Sequence, residues 1–261
     1  MEIQGSQLSR YGAIASPLPV APSAKIFFVL TTTDARHGDL QTEFPVDKDG
    51  VTRVYGTIDA AIGACVDGRG DVIYVLPGHT ETVSAAAGIV CDIAGIRIQG
   101  LGEGANRPTI TFSTSTAADI NIDAANVTID NVILNLTGVD ALVAPIDVNA
   151  TNFTLSNSLI ITASASAQAT LGILNDANAS RMKLINNEFL GTTDVGTAAA
   201  VRIVGGNEHV IDGNRFYGAY TTTLGAIENN TTACLRVQVT NNFIQNATAS
   251  STVAMTFVST S

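Results

Sequence analysis

The second half of the chain repeats a short phrase in which apolar and polar residues alternate, and an asparagine then precedes a large apolar side chain. The phrase occurs at residues 129–133, 155–159, 185–189, 213–216 and 239–243. Strict two-residue alternation is typical of a half-buried β-strand. Recurring copies of one strand pattern therefore predict a repeat protein built from similar stacked units.

The spacing of the phrase indicates the kind of repeat. Its anchors are five asparagines, Asn131, Asn157, Asn187, Asn214 and Asn241. They are separated by 26, 30, 27 and 27 residues, and Gly100 extends the series backwards by 31. This period is too short for a βαβ unit and too long for a hairpin strand. It suits one coil of a parallel β-helix, in which short strands stack on the next coil at roughly 4.8 Å.

Asparagine suits the anchor position for a physical reason. It tolerates the left-handed backbone conformation of a sharp bend, and its amide can bond the equivalent amide one coil away. The large apolar residue two positions later is expected to point into the coil. One internal column would then contain Ile133, Leu159, Phe189, Phe216 and Phe243.

Residues 1–50 differ from the repeat, because four of the seven prolines fall there and little periodicity is visible. The prolines exclude a helix around residues 17–22. We therefore predict an extended N-terminal arm over residues 1–50 and a β-helix domain over residues 51–261. In residues 57–66, Thr57 stands at an N-cap position before apolar residues at helical spacing, which predicts a short helix that caps the first coil.

Two phrases in this region carry a family resemblance. Thr-Ile-Asp-Ala-Ala-Ile begins at Thr57, and Gly-Asp-Val-Ile-Tyr-Val-Leu-Pro-Gly-His-Thr-Glu begins at Gly70. Together they resemble the opening segment of right-handed parallel β-helix proteins of the pectate-lyase-like superfamily, over roughly 200 residues. The resemblance implies an all-β, right-handed parallel β-helix of about seven coils, with the short capping helix and the arm. It leaves the function open, because the superfamily includes lyases, hydrolases, phage tailspikes and non-enzymatic virion proteins.

Composition narrows the classes of partner. The chain has 23 Asp and Glu against 13 Lys and Arg, a formal net charge of -10 and no basic stripe, so we expect no nucleic acid partner. The start lacks the pattern of a secretion signal, and the apolar run at residues 25–30 is too short to span a bilayer. We therefore expect a protein made in the host cytoplasm that has no membrane partner. Cys65, Cys91 and Cys234 are widely spaced without a C-x-x-C pair, which predicts reduced thiols.

The catalytic phrases of polygalacturonase-like enzymes are missing from the predicted coils. There is no Asn-Thr-Asp, Asp-Asp or Arg-Ile-Lys, and the one His-Gly begins at His37 in the predicted arm. No segment has the density of carboxylates that a calcium-dependent lyase needs. We therefore expect no enzymatic activity, no catalytic residue, no cofactor, no metal and no small-molecule substrate.

Three groups of polar residues bear on that expectation. The largest contains Arg202, Glu208, His209, Asp212 and Arg215, with Arg181, Lys183 and Glu188 one coil earlier. It could bind an acidic sugar, but we interpret it as an ion-pair ladder on stacked strands. His79 and Glu81 lie two residues apart, and we interpret them as a hydrogen-bonded turn rather than a catalytic dyad. Turn or surface positions, rather than calcium ligands, are expected for Asp119, Asp123 and Asp130.

The compact size, the acidic charge and the proline-containing arm make the chain similar to phage-encoded β-helix proteins that decorate a capsid. This resemblance implies a non-enzymatic structural protein on the exterior of a virion, which cements the shell by contacting the major capsid protein through its arm and one β-helix face. It also implies a homotrimer. The alternative is a tailspike-like protein that binds or depolymerises polysaccharide. Candidate partner-binding anchors are Leu8, Tyr11, Ile14, Leu18, Val20, Ile26 and Phe27, of which the last two could equally belong to a core strand.

Overall fold

The computed structural model describes residues 23–193, 196–220, 225–229, 232, 234–247 and 253–257. Within these ranges the chain winds into a parallel β-solenoid of about eight turns with very little helix. The predicted all-β, parallel β-helix class is therefore confirmed.

In chain order, and with a semicolon between coils, the described helices and strands are β1 (Ile26–Val29), α1 (Arg36–Glu43), β2 (Val54–Tyr55) and α2 (Ile58–Ile62); β3 (Val72–Val75), β4 (Thr80–Val83) and β5 (Ile89–Cys91); β6 (Arg97–Gly100), a 3-10 turn (Gly104–Asn106), β7 (Thr109–Ser113) and β8 (Ile120–Ile122); β9 (Thr128–Asp130), β10 (Ile133–Gly138) and β11 (Ile146–Val148); β12 (Thr154–Ser156), β13 (Leu159–Ile161) and β14 (Leu171–Asn175); β15 (Lys183–Ile185), β16 (Glu188–Leu190), β17 (Gly196–Thr197) and β18 (Ala199–Ile203); β19 (Val210–Asp212), β20 (Arg215–Tyr220) and β21 (Ile227–Asn229); β22 (Gln238–Thr240), β23 (Phe243–Asn246) and β24 (Met255–Phe257).

Successive coils contribute their strands to three sheets. Sheet 1 runs in the order β2-β1-β3-β6-β9-β12-β15-β19-β22, sheet 2 runs β17-β20-β16-β13-β10-β7-β4 with β23 also on β20, and sheet 3 runs β24-β21-β18-β14-β11-β8-β5. The strands of neighbouring coils pair in parallel. Each coil alone would leave its inner apolar face in water, so stacking of the coils provides the core.

The corner between sheets 1 and 2 is formed by one residue with positive φ in each of five successive coils. These residues are Asn131 (58°), Asn157 (52°), Asn186 (54°), Gly213 (67°) and Asn241 (54°). Asparagine and glycine adopt this left-handed conformation at less cost than other residues. Two predicted anchors need correction, because Asn187 and Asn214 follow the corner by one residue instead of forming it.

Asn187 and Asn214 have a different role, in a buried ladder of amides beside the corner. Asn187 Nδ2 donates to Asn214 Oδ1 at 3.1 Å, and Asn214 Nδ2 donates to Asn242 Oδ1 at 3.0 Å. The backbone N–H of Asn187 also donates to Asn214 Oδ1, at 2.9 Å. The ladder therefore joins three coils and leaves these buried amides with hydrogen-bond partners, as buried polar groups require.

The predicted internal column is wrong at three of its five positions. The side chains that point inwards from sheet 2 are Leu134, Ile160, Phe189, Phe216 and Ile244, which pair in register from coil to coil. Ile133, Leu159 and Phe243 alternate to the outer face, and Phe243 is 55% exposed. A shift of one residue exchanges the two faces of a strand. In each of these five coils the inward residue lies three positions after the corner. This regular spacing is not apparent when Asn187 and Asn214 are taken as the corner residues.

The described part of the predicted arm belongs to the solenoid. β1 pairs with β3 from Ile26 opposite Val72 to Val29 opposite Val75. Phe27 is completely buried in the main core. The solenoid therefore begins at residue 26 instead of 51, because three of the four side chains of β1 are buried and its backbone continues sheet 1. This additional strand accounts for about eight coils where about seven are predicted.

Both helices cover the first coils. Helix α1 and Phe44 pack on the outer face of sheet 1, in a second apolar cluster with Phe28 and Tyr74. Helix α2 confirms the predicted capping helix, and the Oγ1 of its N-cap residue Thr57 accepts the N–H of Ala60 at 3.3 Å. Within the described ranges, neither helix is long and apolar enough to cross a membrane.

Candidate functional site

The largest predicted polar group is divided among separate faces of the solenoid. Arg202 on sheet 3 pairs with the completely buried carboxylate of Glu228 in the next coil. Arg215 on sheet 2 pairs with Glu188 of the preceding coil, with Nη1 and Oε1 2.8 Å apart. Glu208 lies at the corner between sheets 3 and 1. These residues join neighbouring coils, as an ion-pair ladder requires, and do not converge on one reaction centre.

The corner between sheets 3 and 1 explains the charged residues found there. Positive φ recurs in successive coils at Gly68, Gly95, Asn126, Asn152, Arg181, Glu208 and Arg236. Arg236 donates to Glu208 Oε1 from Nε at 3.0 Å and from Nη2 at 2.7 Å, and Arg181 Nη1 lies 3.8 Å from Glu208 Oε2. The left-handed conformation costs such residues roughly 1–2 kcal/mol each. The ion pairs and the bond from Glu208 N–H to the Leu235 carbonyl, at 2.9 Å, help to hold this corner.

His209 and Asp212 do not form an acid–base pair. His209 is completely buried, with Nε2 3.0 Å from the carbonyl oxygen of Gly205, and burial lowers the pKa of its imidazole. Asp212 lies on the outer face of sheet 1, where it accepts hydrogen bonds from Thr240 Oγ1 at 2.6 Å and Asn241 Nδ2 at 2.9 Å. These bonds lower the pKa of Asp212. Both side chains therefore have structural partners of their own.

His79 and Glu81 form more than the predicted turn. His79 Nε2 lies 3.2 Å from Glu81 Oε2, and His79 Nδ1 lies 3.2 Å from Thr31 Oγ1. The same Glu81 oxygen accepts the N–H of Ile58 at 2.9 Å, at the start of α2, while Thr31 Oγ1 accepts the N–H of Thr80 at 3.1 Å. A hydroxyl, an imidazole and a carboxylate therefore lie in line, but the hydroxyl and the carboxylate also hold backbone segments. The arrangement ties the first coil, the capping helix and β4 together.

Asp130 is the centre of a polar network on the outer face of sheet 1. Its Oδ1 accepts from Ser156 Oγ at 2.5 Å and from Asn157 Nδ2 at 2.7 Å. Its Oδ2 accepts from Gln99 Nε2 at 2.6 Å, and Arg97 Nη2 lies 3.6 Å from the same oxygen. The network spans three coils, and the carboxylate is already saturated by its neighbours.

The other predicted aspartates are separate from Asp130. Asp119 Oδ1 accepts the N–H of Ala87 at 2.5 Å, and burial raises the pKa of Asp119. The exposed Asp123 accepts from Asn149 Nδ2 at 2.9 Å. In the part of the chain that the structure describes, no group of three His, Cys, Asp or Glu side chains is placed to hold a metal ion.

The cysteines are free, as predicted. Cys65 and Cys91 are buried, and Cys234 is partly buried. Burial raises the pKa of all three thiols, that of Cys65 to about 12. The nucleophilic thiolate is therefore scarce at neutral pH.

Most of the predicted partner-binding anchors, Leu8, Tyr11, Ile14, Leu18 and Val20, lie outside the described residues. Ile26 and Phe27 are in β1, as in the core-strand interpretation. Phe27 cannot present its ring to a partner in this conformation, because the side chain faces the core with no exposed surface. Ile26 is partly buried against the second apolar cluster.

The outer face of sheet 2 carries a group of apolar side chains that point away from the core. Six outward side chains there are apolar, and we call them the apolar strip: Ile133, Leu159, Ile161, Leu190, Tyr217 and Phe243. None belongs to either core cluster, although Ile133 is only 8% exposed; Leu159, Ile161, Leu190 and Tyr217 are partly buried, and Phe243 is 55% exposed. They come from five consecutive coils, so the strip is about 19 Å long at the usual strand spacing.

The chemistry of sheet 2 changes along the solenoid axis. In the second and third coils its outward positions hold Thr80, Thr82, Thr109 and Thr111. From the fourth coil onwards the corresponding columns become mostly apolar, and the Glu188–Arg215 pair lies within them. The apolar strip is therefore specific to the later coils and is not a general property of this sheet.

The apolar strip has a sequence signal that the alternation pattern alone does not reveal. Leu159, Ile160 and Ile161 are three apolar residues in a row, and Phe189 is followed by Leu190. Consecutive apolar residues on a strand place side chains on both faces. The polar networks are harder to predict from the sequence, because Thr31, Ile58 and His79 are far apart in the chain and come close only in the folded structure.

Comparison with protein-family models, with curated proteins and with solved structures finds no match to this chain. The family resemblance therefore rests on the sequence phrases at Thr57 and Gly70. The observed strand topology is consistent with that β-helix superfamily.

Proposed function

We propose that the chain is a non-enzymatic structural protein of a phage virion that decorates or cements the capsid exterior. The apolar strip is the observation that carries the proposal. Extended apolar surface outside a core is a common mark of a protein–protein contact. The dispersal of the candidate acid–base residues into ion-pair rungs and hydrogen-bond networks supports a structural role over a catalytic one.

The strip suits a rigid contact. Apart from Phe243 on β23, its side chains project from strands that are hydrogen-bonded to a described strand on both sides, so a partner orders little backbone when it binds there. Burying a fully exposed Leu or Ile side chain contributes roughly 1.5–3 kcal/mol, and these partly shielded side chains contribute less each. The strip as a whole supplies a few kcal/mol towards holding neighbouring shell subunits together.

The virion setting and the homotrimer are supported by the resemblance to decoration proteins. The partner in this proposal is the major capsid protein, with a further contact from residues 1–22. The first described residue, residue 23, lies close to β1, whereas the strip lies on the later coils. Two separated contacts would allow one chain to bridge two shell subunits.

Co-sedimentation with emptied capsids of the phage that encodes the chain tests the proposal. We expect saturable binding by the full chain, and at least roughly tenfold weaker binding when Leu190→Ser and Tyr217→Ser are combined. Thr82→Ala, on the outer face of the same sheet, is the matched control and should bind like the natural sequence. Deleting residues 1–22 measures the contribution of the arm. A folded natural protein that does not bind the capsids refutes the decoration role.

The polar outer face of sheet 1 favours a second candidate, a tailspike-like protein that binds or depolymerises polysaccharide. Gln99, Ser156 and Asn157 carry amide and hydroxyl groups of the kind that bond sugar hydroxyls, but these groups already bond Asp130, so a sugar would have to share or replace those bonds. Release of reducing ends from bacterial polysaccharide by the purified chain would support it. Unchanged polysaccharide, together with capsid binding, would decide for the first proposal.

A further inference from the structure

A cleft of about 680 Å³ opens at the N-terminal end of the solenoid. It lies between the start of β1 and the loop that follows α1, and it is lined by residues 23–26, 44–49, 53 and 69. Its volume falls in the range of pockets that hold small ligands. One wall is apolar, formed by Ile26, Phe44, Pro45 and Val46, while the rest of the lining is mainly charged.

The charges of this cleft do not cancel. Its cations are Lys25, Lys48, Arg53 and Arg69, and the carboxylates that face them are Asp47, Asp49 and Asp71. Lys25 Nζ lies 2.5 Å from Asp47 and 3.2 Å from Asp49, while Arg69 binds the completely buried Asp71 through Nε at 2.7 Å and Nη2 at 2.6 Å. One positive charge is left over in a chain whose net charge is -10, in a count that includes Lys48, whose side chain is 87% exposed and pairs with Asp49 at 2.7 Å.

Arg53 has the longest ion pair among the four cations of the cleft. Its Nε donates to the carbonyl of Ile26 at 2.6 Å, and its guanidinium carbon lies 5.7 Å from the centre of the Phe27 ring. Across the described residues, neither terminal nitrogen has a hydrogen-bond acceptor, and the carboxylate paired with them, Asp47, is 3.9 Å from Nη1. Burial lowers the pKa of Arg53, while the charges of Asp47 and Asp71 act in the opposite direction.

We propose that this cleft binds the carboxylate group of a ligand, with the two terminal nitrogens of Arg53 as its bidentate donors. A planar guanidinium matches a carboxylate in shape and hydrogen-bonding pattern. A single negative charge neutralises the surplus, whereas the second charge of a phosphate is opposed by Asp47 and Asp49. The apolar wall suits the carbon skeleton attached to the carboxylate. The inference does not depend on the proposed role in a virion.

The test uses the full chain with benzoate as the carboxylate probe, benzamide as its neutral counterpart and inorganic phosphate as the competing anion. Binding is followed by chemical-shift changes of backbone amides. We expect benzoate to shift the amides of residues 23–26 and 44–49, with much smaller shifts from benzamide and phosphate. Equal shifts from all three probes, or benzoate shifts spread over the whole surface, would overturn the proposal.

Variants of Arg53 test whether its side chain donates the hydrogen bonds to the bound carboxylate. Arg53→Gln removes the charged fork and should weaken benzoate binding roughly 10- to 100-fold, the size of a lost charge-assisted hydrogen bond. Arg53→Lys keeps the charge and should recover part of the affinity. Arg215→Gln removes an exposed arginine elsewhere and should change nothing. Unfolding temperatures verify that each variant is folded, and a folded Arg53→Gln that binds benzoate normally refutes the assignment.

A further variant distinguishes an external carboxylate from one in the chain itself. Glu2 is the one carboxylate side chain in residues 1–22. If Glu2 fills the cleft, Glu2→Gln should raise the affinity for benzoate several-fold, which supports the carboxylate chemistry and identifies an internal source. If the site takes an external ligand, Glu2→Gln should leave the affinity unchanged while Arg53→Gln still weakens it.

Discussion

From the fourth coil onwards sheets 1 and 2 present opposite kinds of outer surface, although the same coils build both. On sheet 1 the outward side chains of adjacent coils bond one another, as Asp130 does with Gln99 and Ser156. On sheet 2 the outward columns hold Leu190 and Tyr217, whose apolar surface has no core to enter. Stacking sets where side chains lie in both sheets. The types of the outward residues decide whether they satisfy one another within the chain, as polar residues do on sheet 1, or leave apolar surface for a partner, as on sheet 2.

The largest expected effect on the free energy of unfolding is the difference between an inward and an outward residue of sheet 2. Phe216 faces inwards and stacks on Phe189 with ring centroids 4.6 Å apart. Phe216→Ala should lower the free energy of unfolding by about 3–5 kcal/mol, because it leaves a cavity between coils. Tyr217→Ala, one residue away on the outer face, should cost less than about 1 kcal/mol. Urea denaturation of both variants measures the difference, and similar losses would mean that Tyr217 is part of the fold rather than of an open face.

The next effect concerns the polar network of sheet 1. Asp130→Ala removes the acceptor of Ser156, Asn157 and Gln99 together and should lower the free energy of unfolding by about 2–3 kcal/mol. The exposed Asp123, which accepts one side-chain bond from Asn149, provides the control. Asp123→Ala should cost less than about 1 kcal/mol. If chemical denaturation gives equal losses of unfolding free energy for Asp130→Ala and Asp123→Ala, the network stabilises the fold no more than one exposed hydrogen bond does.

The contribution of Asp212, on the outer face of sheet 1, to the free energy of unfolding is expected to depend on pH. Its hydrogen bonds from Thr240 and Asn241 lower the pKa of the folded state below the ordinary value of about 3.9. The carboxylate therefore stabilises the fold above that ordinary value, and the contribution is lost as the pH falls through the lowered pKa. Asp212→Asn should be less stable than the natural chain at pH 7, and the gap should shrink as the pH falls below the ordinary carboxyl value of about 3.9. A gap that stays constant in urea titrations across this range would contradict the assignment.

The smallest effect is expected for the ion pair of Glu188 and Arg215. Both side chains are about half exposed, so water and salt screen their attraction. A double-mutant cycle with Glu188→Gln and Arg215→Gln should give a coupling energy of about 0.2–1 kcal/mol that declines with added salt. A coupling above about 2 kcal/mol would show that this part of sheet 2 is closed by its own side chains, as sheet 1 is.

Much of the fold follows from local patterns. Alternation and a period near 27 predict the parallel β-helix, because a coil repeats both its strands and its corners. Asn131, Asn157 and Asn241 are recognisable as corner residues, since asparagine relieves the strain of a left-handed bend. Thr57 marks the capping helix in the same way, through its hydroxyl at the N-cap. These signals depend on neighbours within a few residues.

The register, the second corner and the candidate sites depend on contacts between residues far apart in the chain. Adjacent asparagines at 186 and 187 leave the corner ambiguous, and only stacking against Asn157 and Gly213 decides it. Arg181 and Glu208 are unfavourable corner residues by themselves, and pairing across coils is what accommodates them. Arg53 reaches the carbonyl of Ile26 only once β1 pairs with β2. The sequence by itself therefore determined the coil, whereas the tertiary structure decided which side chains meet between coils, because stacking brings together residues that local patterns treat separately.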